Sequence, residues 1–241
     1  MPEEHDQGRV SIVMPAYQLG ESIADNVEQV IKALASLDDV EVIVSDDGST
    51  DTTYPEAEEV AAANERVTVV RSDVNQGKGA AFRRGFFAST GNLIVLLDGD
   101  LDLPPDQLPD LIASFPQRNV DVLVGEKLAT TSTGSYPVPR RVLSSVFSFV
   151  ARILFRLPVA ETQTGLKLFT RGSLQDTLPN LRITRYSFDL ELLVRIDRAG
   201  FSIGAVPVQL GDKGPGSGLQ LATLWEMGRD TLRIWWWSVR S

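Results

Sequence analysis

The chain has 241 residues, of which 43% are hydrophobic and 23% charged, with no cysteine and a single histidine. That length buries a core without disulfides. The missing cysteines exclude a thiolate zinc site and a thiol nucleophile, and His5, alone in a polar tail over residues 1–9, excludes a His-dependent triad. The net charge of −9 is unevenly divided: residues 1–120 hold 22 acidic against 8 basic side chains, and residues 121–241 hold 10 against 15. The first half is therefore suited to cations and the second to an anionic partner, while nucleic acid is a poor fit.

Short continuous apolar runs at 10–14, 40–44, 67–70, 93–97 and 121–124 read as buried strands. Between them, helical spacing or composition predicts helices over 23–34, 52–64, 79–88 and 104–115. Strands and helices in strict alternation, with strands that are apolar throughout, predict an α/β fold: a mostly parallel sheet covered on both faces, in one domain. After residue 125 the spacing changes. A Thr/Ser/Gly/Pro loop over 128–140 precedes an apolar helix over 142–157. A strand over 166–169, a helix over 188–199, a strand over 201–208, a Gly-rich loop over 211–218 and a last helix over 219–237 follow. No uninterrupted apolar stretch is long enough for a transmembrane helix. The acidic tail is unlike a signal peptide, which leads to a cytoplasmic expectation.

Ligands of such sheets bind beyond the carboxyl ends of the strands. Three strand ends carry the informative residues: Pro15-Ala16-Tyr17, Asp46-Asp47-Gly48-Ser49 and Asp98-Gly99-Asp100. In Asp98-Gly99-Asp100-Leu101-Asp102, an extended backbone puts three carboxylates on one face. Their repulsion calls for a hard divalent cation, Mg²⁺ or Mn²⁺, and the plain alternative is a solvated acidic turn. Gly99 permits the turn and a close ligand. In the second motif Asp47 either faces a ligand or belongs to a helix cap. Asn75-Gln76-Gly77-Lys78-Gly79 precedes a helix, where amides and the Lys78 charge would suit an anion. No Rossmann or P-loop glycine pattern is present. An acidic metal turn beside a nucleotide-sized crevice points to a nucleoside diphosphate-linked donor.

This ordered series resembles the GT-A fold glycosyltransferases of family 2. Thr162-Gln163-Thr164-Gly165-Leu166-Lys167-Leu168-Phe169, Phe188-Asp189-Leu190-Glu191, Val206-Pro207-Val208 and Met227-Gly228-Arg229-Asp230 are similar to the polyprenyl-phosphate sugar synthases, nearest the dolichyl-phosphate glucosyltransferase type and then the mannosyltransferase type. The resemblance implies a nucleotide-sugar half over 10–125, an acceptor half over 126–218 and an amphipathic helix over 219–241. It implies that Pro15, Tyr17 and Asp47 hold base and ribose. Asp98 and Asp100 would bind the donor and its metal, with Asp102 as third ligand. Lys127 would stand at the donor phosphate, Arg140 and Arg141 would face the acceptor phosphate, and Gln163, Asp189 and Glu191 would shape the pocket. Lys213 stands in place of an Arg, and Leu219 and Leu19 depart from the pattern. The implied reaction is inverting transfer of glucose or mannose from UDP-glucose or GDP-mannose to a polyprenyl phosphate. Alternatives are a soluble or polysaccharide acceptor, or a silent nucleotide-sugar-binding module.

A phosphate acceptor, with a second pKa near 6, needs no general base. For an alcohol acceptor, Asp189 or Glu191 is the candidate base. On the last helix, Leu221, Leu224, Trp225, Gly228, Leu232, Trp235 and Trp236 share one side. Its first half reads best as packed on the core, and its Trp-rich end with Arg233 and Arg240 as suited to a membrane interface. The basic second half fits an anionic lipid at a cytoplasmic membrane face. Homo-oligomerisation stays open.

Overall fold

A computed structural model describes residues 8–127, 154–211 and 221–238. The described residues form a seven-stranded sheet with strands β1 (Val10–Ala16), β2 (Val40–Asp46), β3 (Val67–Arg71), β4 (Leu93–Leu97), β5 (Val122–Lys127), β6 (Leu166–Thr170) and β7 (Ile203–Val208), in the spatial order β3-β2-β1-β4-β6-β5-β7. β1, β2, β3 and β4 pair in parallel, β5 pairs in parallel with β7, and β6 is antiparallel to both its neighbours. The chain builds outward from β1 to β3, then returns to the other side of β1 with β4. That reversal of direction opens a crevice between the carboxyl ends of β1 and β4.

Helices α1 (Ser22–Ala33), α2 (Thr53–Ala63), α3 (Lys78–Ala88), α4 (Leu108–Ser114), α5 (Arg171–Gln175), α6 (Phe188–Arg198) and α7 (Leu221–Ser238) complete the fold. The helix expected from residue 104 begins instead as a 3-10 turn, Pro105–Gln107, because closely spaced prolines remove amide donors. Most of the helix expected over 142–157 lies outside the described residues; at its end Phe155 and Leu157 are buried.

The central strands β1, β2 and β4 are buried along their whole length because both faces are covered, whereas the outer strands β3 and β7 are partly exposed. Ile12, Met14, Val95 and Leu97 join one core with Val27 and Val30 of α1 and Leu111 and Ile112 of α4. Val13, Ile94 and Leu96 join the other with Phe82 and Phe86 of α3, Leu190 and Leu193 of α6 and Ile234 of α7. Each such side chain contributes about 1.5–3 kcal/mol on burial, so neither face of the sheet tolerates a polar alternation.

The end of the sheet away from the crevice is fastened by Glu41 on β2. Its Oε1 accepts from the Ser11 hydroxyl at 2.6 Å, the Thr90 amide at 2.6 Å and the Thr90 hydroxyl at 2.9 Å, and Arg9 lies 3.3 Å from Oε2. Burial raises the carboxyl pKa, but the Ser11 and Thr90 hydrogen bonds outweigh it and the net shift is downward. A depressed carboxylate stabilises the fold above its unfolded pKa of about 4.3 and loses that contribution as pH falls through the lower folded value. Glu41→Gln is expected to unfold more easily at neutral pH and to show a shallower loss of stability below about pH 4.3. Urea midpoints from pH 7 down to 3 (about one unit to either side of that value and beyond) test this; parallel wild-type and variant curves would refute it.

Candidate active site

The parallel strands bring the ends of β1, β2 and β4 to one edge, as the sequence predicts. Pro15 and Ala16 close β1, and Tyr17 stands half-exposed beyond it. Hydrogen bonds from the Gln18 amide to Ser49 Oγ (3.0 Å) and from the Leu19 amide to Thr53 Oγ1 (2.8 Å) lock this loop to the one after β2. The Gly99 amide donates to Pro15 O at 3.3 Å, and buried Asn26 of α1 donates to Gly99 O at 2.8 Å. A Cβ on Gly99 would lie 2.8 Å from Pro15 O, so the β1 backbone already requires glycine here.

β6 runs against β4, pairing Leu97 with Leu166. Thr162-Gln163-Thr164-Gly165 is thereby delivered to Asp98, although about 60 residues of sequence separate them. The Asp98 amide donates to Gly165 O at 2.9 Å, and a Cβ on Gly165 would run into the Asp98 carboxylate.

The counter-charge of Asp98 is Lys78. Its ammonium, at the first residue of α3, lies 2.5 Å from Asp98 Oδ1, with both side chains about one-third exposed. Burial works against the ammonium, but Asp98, then Asp189 and Asp100, outweigh it and hold the Lys78 pKa above that of ordinary lysine. Lys78 thus supplies positive charge where the sequence reading calls on a metal. Ahead of α3, the Gln76 and Gly77 amides donate to Asp47 (3.1 and 2.6 Å to Oδ2), and the Gly79 amide donates to Thr184 O at 2.8 Å.

Asp47 is buried, bracketed by those amides, and has Arg84 at 3.6 Å. It fastens the Lys78 loop to β2.

The acidic turn is not extended. The Leu101 amide donates to Asp98 O at 3.1 Å, and Leu101 takes φ of +51° with its side chain in the core. A leucine in the left-handed region is strained. The Asp102 amide donates to Asp100 Oδ1 at 3.4 Å, and the Asp102 carbonyl accepts from the Gly211 amide at 2.9 Å. Among the described residues no three carboxylate or imidazole groups converge as a metal cage. Asp102 lies near enough for its charge to act on Asp100. Asp100 stands at the exposed tip of the turn. Local desolvation, followed by the charges of Asp98 and Asp102, pushes its pKa up. A turn with excess negative charge and two carboxylates suits a hard divalent cation.

Further along the edge, Lys127 is paired with Glu161 at 3.1 Å, and Gln163 Nε2 donates to Tyr186 O at 3.1 Å. Asp189, at the start of α6, is buried against Lys167: Nζ lies 2.6 Å from Asp189 Oδ1 and 2.5 Å from Thr164 O. Glu191 is fully buried, and its oxygens accept from the amides of Arg182 and Ile183 and from Arg195 Nε at 2.8 Å. Arg140, Arg141 and Lys213 lie outside the described residues. Sequence reasoning missed Lys167, Asn26, Arg84 and Glu161. A lysine inside the apolar run Leu166-Lys167-Leu168-Phe169 was the one available signal, since an interior lysine requires a partner.

The sequence pattern of Glycosyl transferase family 2 matches residues 11–178. Glycosyltransferase AglD of Haloferax volcanii is 30% identical over 230 residues, covering 94% of this chain but 37% of that protein, so the chain spans little more than a third of that relative's length. Dolichyl-phosphate beta-glucosyltransferase ALG5C of Trichomonas vaginalis is 28% identical, over 93% of this chain and 70% of its own length. In fold, the chain is similar to glucosyl-3-phosphoglycerate synthase of Mycobacterium tuberculosis in complex with UDP, with a TM-score of 0.70, 22% identity, and 96% and 80% of the two chains covered. The same enzyme in complex with Mn²⁺, UDP and glucosyl-3-phosphoglycerate superimposes with a TM-score of 0.66, at 23% identity and 94% and 78% coverage. With its sheet order, its β1/β4 crevice and this match over most of its length, the chain belongs to glycosyl transferase family 2.

Proposed function

We propose that the protein transfers a hexose, glucose or mannose, from a nucleoside diphosphate sugar to a polyprenyl phosphate at the cytoplasmic face of a membrane, inverting the anomeric centre. The observation that carries this reading is the Asp98–Lys78 pair beside Asp100 at the β1/β4 crevice. The dolichyl-phosphate beta-glucosyltransferases among its relatives support the lipid acceptor, and the UDP and Mn²⁺ complexes of its structural neighbours support a nucleotide donor with a divalent ion.

In this reading a phosphate oxygen of the acceptor forms the new bond to the anomeric carbon. The bond from that carbon to the diphosphate breaks, and the nucleoside diphosphate leaves with the electron pair. The acceptor is already largely a dianion at neutral pH, so no protein base is required. Asp98 and Asp100 would hold Mg²⁺ or Mn²⁺, which when bound neutralises charge on the leaving diphosphate. Lys78 adds a fixed positive charge at the same edge, anchored through Asp47 and Thr184. Tyr17, half-exposed beyond β1, would stack on the base, with Pro15 behind it closing the strand. Gln163 would meet the sugar on the side nearest β6, with buried Asp189 behind it.

The test supplies the 241-residue chain with labelled UDP-glucose or GDP-mannose and, in separate arms, a detergent-dispersed polyprenyl phosphate and 3-phosphoglycerate. Label from one donor is expected in the lipid fraction. Asp100→Ala is expected to lower it by about two orders of magnitude, the scale of losing an electrostatic stabiliser of a leaving group. Label confined to a water-soluble glycoside would replace the lipid acceptor with a soluble one. Full transfer by Asp100→Ala would remove the assigned role of the turn.

A further inference from the structure

We infer that Asn26 of α1 is a positioning residue for the acidic turn, holding Asp98 and Asp100 in place for a divalent cation by way of the Gly99 carbonyl. The inference rests on the reading above that those two carboxylates take the cation, and deepens it by naming what fixes the turn between them.

The buried face of α1 is formed by Ile23, Asn26, Val27 and Val30. Asn26, 3% exposed, therefore stands on the apolar stripe of an amphipathic helix. Two local preferences oppose it there. Asparagine is a weak helix former, and a buried side-chain amide is unfavourable unless it is hydrogen-bonded. A leucine would meet both demands. The bond Asn26 makes instead leaves its own helix: Nδ2 donates to Gly99 O at 2.8 Å, across 73 positions of sequence. Gly99 is itself buried, so its carbonyl has no ready alternative in solvent. The one polar group on this face of α1 thus reaches the residue between the two candidate ligands.

What the bond controls follows from the turn. The Leu101 amide donates to Asp98 O at 3.1 Å, so residues 98–101 form a β-turn with Gly99 and Asp100 at its centre. Neither central residue has a positive φ, as in the type I form; the type II form requires a positive φ at the third residue, here Asp100. The two forms differ by a flip of the peptide between Gly99 and Asp100. Glycine followed by aspartate resists that flip little, because glycine is unrestricted and aspartate tolerates the left-handed region better than most. The Gly99 carbonyl is the oxygen of this peptide. A flip would swing it away from Asn26 and re-aim the Asp100 side chain. The Gly99 amide, donating to Pro15 O at 3.3 Å, holds the preceding peptide and not this one. Leu101, next in line, is left-handed at φ of +51°, so the turn is not held by its own backbone preferences. α1 is a firm anchor for it. Just ahead of the helix, the Leu19 and Gly20 amides donate to Thr53 Oγ1 at 2.8 and 2.9 Å, and Val27 and Val30 are locked in the core. A side chain on a helix fixed in this way positions more precisely than one on a loop. A neutral amide also does so without cancelling the negative charge that attracts a cation.

The experiment titrates Mn²⁺ into the 241-residue chain with UDP or GDP present, reads the free ion by electron paramagnetic resonance against a protein-free blank, and melts each variant thermally. Asn26→Ala removes the donor by truncation. Asn26→Leu removes it at nearly equal size, on a face where Ile23, Val27 and Val30 are already apolar. Val30→Ala, one turn further along that face, controls for lost stability alone. Wild type is expected to take up Mn²⁺ beyond the blank. Both Asn26 variants are expected to bind it about 10–100-fold more weakly, the range for losing a partner that orients a metal's ligands. Val30→Ala is expected to melt lower than wild type and to keep wild-type Mn²⁺ affinity. A folded Asn26 variant with wild-type affinity overturns the inference, as does an equal loss of affinity in Val30→Ala; either result leaves the proposed transfer standing. Wild type that takes up no Mn²⁺ beyond the blank overturns the inference and removes the divalent ion from the proposed function with it.

Discussion

Lys167→Met is expected to lower folding stability by about 3–5 kcal/mol, the range for stripping one partner from a buried ion pair. Lys167 is wholly buried on β6, and burial pulls its pKa down while Asp189 partly restores it. Its ammonium joins Asp189 Oδ1 to the Thr164 carbonyl. Without it, Asp189 remains as a buried carboxylate with no counter-charge in contact, and Thr164 O loses its donor. Lys167→Met/Asp189→Leu removes both charges and is expected to recover most of the lost stability, because an apolar pair of similar volume often matches a buried salt bridge. Transfer activity is expected to stay low in the double variant. Thr164-Gly165 would no longer be tied to α6, and Gly165 O is the acceptor for the Asp98 amide. Urea midpoints and initial rates on the two variants separate the roles. An unchanged midpoint in Lys167→Met would mean that the pair does not form, and recovery of both stability and rate in the double variant would make it structural ballast.

The same pair shows where sequence reasoning succeeds and where it stops. Continuous apolar runs are legible because a sheet covered on both faces has no polar side. The convergence of Tyr17, Asp47 and Asp98 at one edge follows from parallel strands alone. Pairing is different: the partner of a charge is a property of three dimensions. Asp98 finds Lys78, 20 positions earlier, only because α3 starts beside β4. Asp47 and Glu191 read as site residues from their places near a turn and a helix start, and only the fold shows that both are buried and accept from backbone amides. The side chains at Asp98, Asp100 and Asp102 would align in an extended strand, and a single left-handed residue, Leu101, redirects the chain. No local pattern announces that, since leucine there breaks the usual preference and is held by burial of its side chain. Periodicity likewise finds a face on α7 without saying whether it turns toward core or solvent; that is decided by what α6 leaves uncovered.

Gly165→Ala is expected to lower kcat/KM by about 100-fold, the scale set by roughly 1 Å of misplacement at a reacting centre, with only a modest effect on melting temperature. The new methyl group would occupy the place of the Asp98 carboxylate. Asp98 is partly exposed toward the crevice, so its side chain has somewhere to go, and the cost in stability is that of mild overpacking, about 1–3 kcal/mol. Moving it breaks contact with Lys78 and spoils the arrangement of Asp98 with Asp100 for any cation. The control is Gly172→Ala in α5, where a Cβ meets nothing within 4 Å. It is expected to keep full activity and to gain roughly 0.5–1 kcal/mol, the usual advantage of alanine over glycine within a helix. The position of Asp98, more than its charge alone, then sets the rate. Restoring contact by shortening the side chain, as in Gly165→Ala/Asp98→Ala, does not restore transfer, because the methyl group is accommodated but no carboxylate remains to meet Lys78 or the cation. A Gly165→Ala enzyme with wild-type kcat/KM would show that Asp98 works equally well from another rotamer, and the geometric account of the β4–β6 junction would fall.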